Sequence, residues 1–449
     1  MKFARFLLVG LSLCGYTVSR SYADFPQFRG TGGAAKASGN EIPLDWSDSK
    51  NLAWKVPIPG TGWSQPIVIG DKLFVSSAVA DKDLKPKNFA NGVRTPQSMG
   101  LGGLTPPPKV NIQWQLHCYE CQSGEKLWST TICEGQPKYP VHPSNTYATE
   151  TPAANDKGIV VFFGATGIVA GVSPKGEIRW KQELGVFATT SGFGTGSSVA
   201  IQNDFAFVQH FTESSAAVVA FSIETGEKKW TYERDKKGTS WASPIVWTNN
   251  IRSELVISGG ERIESLDPQT GKLFWKIENV KAPTACSIAS DSERIYFGGS
   301  DPMSKGPLFS MLAGGEGDLS PEKKNGEFKS SAWIEKKAAP GMSSPLSTEK
   351  FVFVNDNNIL RVYDASNGKK LNERRIDGLS SIAASPIQVD DKILYLDEQG
   401  NAVLVSANEA CDVMGQGKLD DTFWATPAIA NNAIYLRGLE HLYCVRKTP

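Results

Sequence analysis

The sequence predicts an all-β fold, an eight-bladed β-propeller of four-stranded antiparallel blades, closed by its own N-terminal strand. Two recurring patterns predict it: a glycine four residues ahead of a tryptophan, and a small polar residue, usually followed by proline, ahead of an apolar pair. Repeats of roughly 40 to 50 residues, each holding several short strands, are the signature of propeller blades.

The first pattern runs through Gly124 and Trp128, Gly176 and Trp180, Gly226 and Trp230, and Gly271 and Trp275, with a decayed copy ending at Asn372. The second is marked by Pro66, Pro152, Pro244, Pro345, Pro386 and Pro427, with Ser198 and Ser287 holding the proline's place in two further copies. Eight units result. The glycine suits a tight turn between third and fourth strands, where a positive φ is needed. The tryptophan four residues on can lie over the neighbouring blade, so Trp54, Trp128, Trp180, Trp230, Trp275 and Trp333 read as structural blade-docking residues.

Taken in order, residues 1–23 read as a removable secretory signal. Lys2 and Arg5 precede an apolar run, and Ser21-Tyr22-Ala23 ends it before Asp24. The run is shorter than the roughly 20 residues of a spanning helix, so the mature chain is expected to be exported, periplasmic or extracellular, without a transmembrane segment. Anchoring as a lipoprotein at Cys14 is disfavoured because Leu13 stands where a small residue belongs. Residues 24–449 then form one domain, expected to be a monomer, with surface insertions at about 79–111 and 313–328. Trp333 follows the second insertion. The last unit, from Asp421 to Pro449, supplies three strand-like runs, and Asn51 to Pro57 is a strand without a preceding blade. It is expected to complete the eighth blade and remove an open edge.

The whole chain balances 47 basic against 47 acidic residues. Taking Lys2, Arg5 and Arg20 away with the signal leaves 44 against 47, a net of −3. No basic stripe points to nucleic acid.

The repeat pattern resembles the PQQ-like β-propeller repeat family, which includes BamB and the propellers of quinoprotein dehydrogenases. An exported bacterial branch is the closest match, through Phe25-Pro26-Gln27-Phe28-Arg29-Gly30, the run from His142 to Pro152, and Ala425-Thr426-Pro427-Ala428-Ile429 with Arg437 and His441 to Cys444. The resemblance implies a non-enzymatic binding or scaffold protein of the cell envelope, BamB-like, meeting an envelope protein or a small ligand and holding no cofactor. The alternative it implies is a quinone-dependent oxidoreductase using PQQ with calcium. That chemistry would need a calcium held by carboxylate and amide oxygens, a base aspartate and, in many members, adjacent cysteines. No Cys-Cys pair exists here, and no residue can be assigned to those catalytic, cofactor or metal roles.

Candidate ligand or partner residues are few. His142, Asn145, Tyr147 and Glu150 form the densest polar group outside the repeat and read either as ligand contacts or as a loop latch. Trp63, Trp241 and Trp424 stand three residues before the proline column and either rim the channel mouth or pack on blade edges. Arg437 joins His142 and Tyr147 as the trio a lyase would recruit. Cys118 and Cys444 occupy a column of small residues and read as interior packing, with a disulfide between first and last blades left open.

Overall fold

The computed structural model describes residues 24–39, 41–86, 106–300 and 304–448. The expected signal, with Cys14, and most of the first insertion lie outside these residues. Among them the secondary structure is almost wholly β, organised as eight sheets.

Each sheet is a sequential antiparallel meander. The first comprises Ile67–Ile69, Lys72–Ala80, Ile112–Glu120 and Lys126–Gly135, the second Ala153–Asn155, Gly158–Phe163, Ile168–Val172 and Ile178–Glu183. The third to seventh begin at Ala200, Ile245, Ala289, Leu346 and Ile387. The eighth takes Ala428–Ala430, Ala433–Arg437 and His441–Val445 from the chain's end and Leu52–Pro57 from its beginning, Trp54 lying opposite Cys444. Two outer edges are covered: Asp45–Trp46 pairs in parallel with Val413–Lys418, and Gly317–Asp318, from the second insertion, pairs with Leu273–Ile277. Strand addition of this kind removes an exposed pairing edge.

Alternation within the inner strands turns apolar side chains to both neighbours, so the core lies between successive sheets. Val160 and Phe162 of the second sheet, for example, pack with Val208 and Phe221 of the third.

The glycine of the repeat has two tasks. Gly124, Gly176, Gly226, Gly271 and Gly368 all have φ between +71 and +90. Each also seats the indole of the preceding sheet: a Cβ on Gly124 would meet Trp54 at 2.7 Å, on Gly176 Trp128 at 2.7 Å, and on Gly271 Trp230 at 2.6 Å. The indole N–H then donates to a turn carbonyl next door, Trp54 to Cys121, Trp128 to Pro174, Trp180 to Ile223, Trp230 to Pro268 and Trp333 to Ala365. Trp275 packs with Ile295 and Phe297 of the next sheet but departs from this hydrogen-bond pattern. Its Nε1 donates instead to Glu254 Oε2 of its own sheet at 2.7 Å, because a buried carboxylate there outcompetes a neighbouring carbonyl as acceptor.

A strap of residues 25–37 crosses the first strands of successive sheets. Phe25 bridges Val68, Pro26 O accepts from Ala154, Gln27 Oε1 accepts from Ile201, and Gly32 and Gly33 lie against Val246 and Ile245. Arg29 donates to the carbonyls of Ile288 and Pro345, and Lys36–Ala37 pairs with Gln388 and Val389. Seven of the eight sheets are touched by one short segment.

Candidate functional site

The upper ends of the first strands carry a chain of hydroxyl bonds running from sheet to sheet. The backbone N–H of Gln65 donates to Thr151 Oγ1, Thr151 to Ser198, Ser198 to Ser243, Ser243 to Ser287, Ser287 to Ser344, Ser344 to Ser385 and Ser385 to Thr426. The Gln65 side chain completes the series by donating to Pro427 O. Ser198 and Ser287 therefore occupy the hydroxyl position one residue before the proline column, not the proline position itself. Val199 and Ile288 stand where proline stands elsewhere, and the N–H that Val199 retains donates to Thr151 O.

Two residues before this column, Trp63 is buried, while the other seven positions are half-buried or exposed. The eight positions are Trp63, Thr149, Gly196, Trp241, Ala285, Met342, Ala383 and Trp424, none of them charged. Trp63 stacks on Trp424 with centroids 6.0 Å apart, and its Nε1 donates to Ser144 O at 2.7 Å. His142 meets Phe193 edge-on at 5.1 Å, and Phe193 in turn contacts Trp241. Two aromatic groups, Trp424 with Trp63 and His142 with Phe193 and Trp241, thus lie between the eighth and fourth sheets, joined through hydrogen bonds to Ser144. Beside them Tyr139, Val141, Ala165, Phe187 and Thr195 line a shallow cleft of about 270 Å³, open to solvent.

The polar candidates are held by internal bonds. His142 Nδ1 pairs with Ser144 Oγ at 2.7 Å, and Asn145 donates to the carbonyls of Phe193 and Thr195. The Asn145 side-chain oxygen accepts from Tyr147 N and Thr149 Oγ1, which holds Tyr147 at φ +61, a costly conformation for a bulky residue. Glu150 is buried and accepts from Gly164 N; burial raises its carboxyl, opposed by hydrogen bonds from Thr195 and the backbone. Burial likewise lowers His142 and pushes the Tyr147 phenol up to about 12.

Arg437 lies elsewhere. It is fully buried between the eighth and first sheets, donating to Ser64, Ser76 and Ser77, so it does not assemble with His142 and Tyr147 into the trio a lyase would need. Sequence reasoning also passed over Arg29, visible in the Phe25-to-Gly30 motif but given no role. Its guanidinium is buried and lowered to about 10 by desolvation. Glu398, buried and raised to about 7 chiefly by desolvation, carried no repeat signal because it sits in a single turn.

All six cysteines from Cys118 to Cys444 are free thiols. Burial pushes Cys118, Cys121 and Cys444 up to about 12. Among the described residues no three His, Cys, Asp or Glu side chains stand close enough to hold a metal ion, and no helix is long and apolar enough to cross a membrane.

Residues 113–370, more than half of the chain, match the family described as outer membrane protein assembly factor BamB. The chain belongs to this family of PQQ-like repeats. BamB from Moraxella catarrhalis superposes with a TM-score of 0.56 at 14% identity, over 88% of this chain and 97% of that one. A quinohemoprotein alcohol dehydrogenase from Comamonas testosteroni superposes at 0.59 and 11% identity, over 95% and 81%. Both show the propeller fold. A curated relative, a polyvinylalcohol dehydrogenase from a Pseudomonas species, is 24% identical over 332 residues, which are 57% of this chain and 51% of that protein. The chain thus spans about half the length of the relative it matches.

Proposed function

We propose that the chain is a non-enzymatic binding or scaffold protein of the bacterial cell envelope, exported and built as one propeller domain. Its eight sheets serve as blades of a ring that Leu52–Pro57 closes. The strap of residues 25–37 lies along the first strands, and the turn positions that precede those strands form the mouth offered to a partner. The observation that carries this reading is the mouth itself: eight uncharged positions, of which Trp241 and Trp424 are half-buried and Trp63 is buried beneath Trp424, while the nearby polar side chains are tied to their own backbone. Aromatic surface with few free charges suits recognition of a protein or apolar ligand.

Co-purification from envelope extracts under gentle cross-linking tests it. A defined partner should be recovered with the wild-type chain and depleted by Trp241→Ala with Trp424→Ala. Recovery of no partner would count against the reading.

The second reading, a quinone-dependent oxidoreductase, rests on the polyvinylalcohol dehydrogenase likeness. The described residues do not fit PQQ with calcium: the mouth positions carry no charge, and no cluster of metal-binding side chains accompanies them. Reconstitution with PQQ and calcium followed by a dye-linked alcohol or sugar oxidation assay separates the two. The scaffold reading predicts no turnover, and saturable turnover would replace it.

A further inference from the structure

We propose that the seam between the eighth and first sheets encloses one small monovalent anion, of halide size, held by Arg437, His117 and Tyr119. Arg437 is 0% exposed, and its terminal nitrogens donate only to neutral groups, Ser64 Oγ at 2.6 Å, Ser77 Oγ at 3.0 Å and the Ser76 carbonyl. No carboxylate pairs with it among the described residues, and its Nε–H has no partner. A buried guanidinium without a counter-charge is an unbalanced arrangement.

Two further unpartnered groups share the seam. His117 and Tyr119 are two residues apart on Ile112–Glu120, so strand alternation puts both on one face, opposite Val75 and Leu73. Leu73, Val75 and Tyr119 pack into the same core as Tyr435 and Leu436, which places that face against the eighth sheet. His117 and Tyr119 are 0% and 1% exposed with ring centroids 6.5 Å apart. His117 Nδ1 lies 2.8 Å from Ser129 Oγ, and with that hydroxyl donating, the neutral ring carries its proton on Nε2. Both His117 Nε2 and the Tyr119 hydroxyl lack a partner. Arg437 is an electrostatic neighbour of both rings.

Three unpartnered donors, one of them on the uncompensated cation itself, therefore share this seam. An enclosed water satisfies the hydrogen bonds but leaves the charge unbalanced, whereas a halide accepts from all three donors and neutralises the guanidinium. The anion would fasten the seam where the two ends of the chain meet.

Crystals of the full mature chain grown without halide and soaked in about 0.1 M sodium bromide test this, read by anomalous diffraction. One peak within hydrogen-bond reach of Arg437 Nε, His117 Nε2 and Tyr119 Oη is expected. Water, empty density, or a peak only at molar bromide, meaning binding at crystal concentration only, would overturn it. In solution, the unfolding midpoint should rise saturably by about 2–4 °C when bromide replaces gluconate at constant ionic strength. Tyr119→Phe should weaken the half-saturating bromide concentration at least about tenfold. A wild-type midpoint indifferent to the anion would equally overturn the proposal, whether or not the variant folds.

Discussion

Each hydroxyl in the chain from Thr151 to Thr426 is a single-atom joint between two sheets, so its loss is felt by one neighbour. Ser385 Oγ accepts from Ser344 N at 3.1 Å in a buried position. Ser385→Ala leaves that N–H orphaned and should cost about 1–2 kcal/mol in urea unfolding, while Ser385→Thr, keeping the oxygen, should stay close to wild type. Glu398 supplies a pH-dependent contribution. Burial lifts its carboxyl from 4.5 to about 7, the hydrogen bonds from Ser381 and Trp424 oppose the rise, and the charge of Asp397 adds to it. The folded state therefore binds a proton more tightly than the unfolded state, and stability falls as pH rises between those two values. Glu398→Gln should flatten that slope, measured as the unfolding midpoint from about pH 5 to 8; an unchanged slope would count against it. The hydroxyl column was half legible in sequence. Small polar residues recurred, but aligning on proline displaced Ser198 and Ser287 by one residue, because Val199 and Ile288 have replaced the ring that marks the other copies.

The element most exposed to the sequence was the turn that joins third and fourth strands. A fixed spacing from glycine to tryptophan announced a packing rule, and the rule proves to be reciprocal: each glycine seats the indole of the sheet before it. Gly226 has φ +71 and faces Trp180, so Gly226→Ala should lose both the left-handed conformation and the seat, about 2–4 kcal/mol. Gly378, with φ +86 and no atom within 4 Å of its missing Cβ, supplies the control; alanine there should cost only about 1 kcal/mol. Equal losses in equilibrium unfolding would contradict the packing role. Trp275 shows the limit of the pattern. Its spacing matches the repeat, yet the acceptor it takes, Glu254, lies 21 residues earlier on an inner strand, a pairing that no local motif reports.

At the scale of the whole molecule, sequence repetition predicts eight blades with a borrowed first strand, since an incomplete final unit and an unmatched initial strand complement each other, and the described residues form eight sheets with Leu52–Pro57 paired to the last strand. The strap was not foretold. Residues 25–37 follow no repeat, and their role depends on seven distant sheets meeting at one place, which only the folded chain brings about. The polar mouth candidates stayed open between two readings for a related reason: a cluster such as His142, Asn145 and Glu150 looks the same in sequence whether it faces a ligand or ties one loop to the next. The two ends of the chain share the eighth sheet, and on the proposed reading this pairing closes a ring. Pro57 lies opposite His441 in the antiparallel register, within the span a disulfide can bridge. Pro57→Cys with His441→Cys, under mild oxidation, should give an intramolecular disulfide in nearly all folded molecules, seen by mass spectrometry and reversed by reductant. Unlinked or only intermolecularly linked chains would contradict the closed ring.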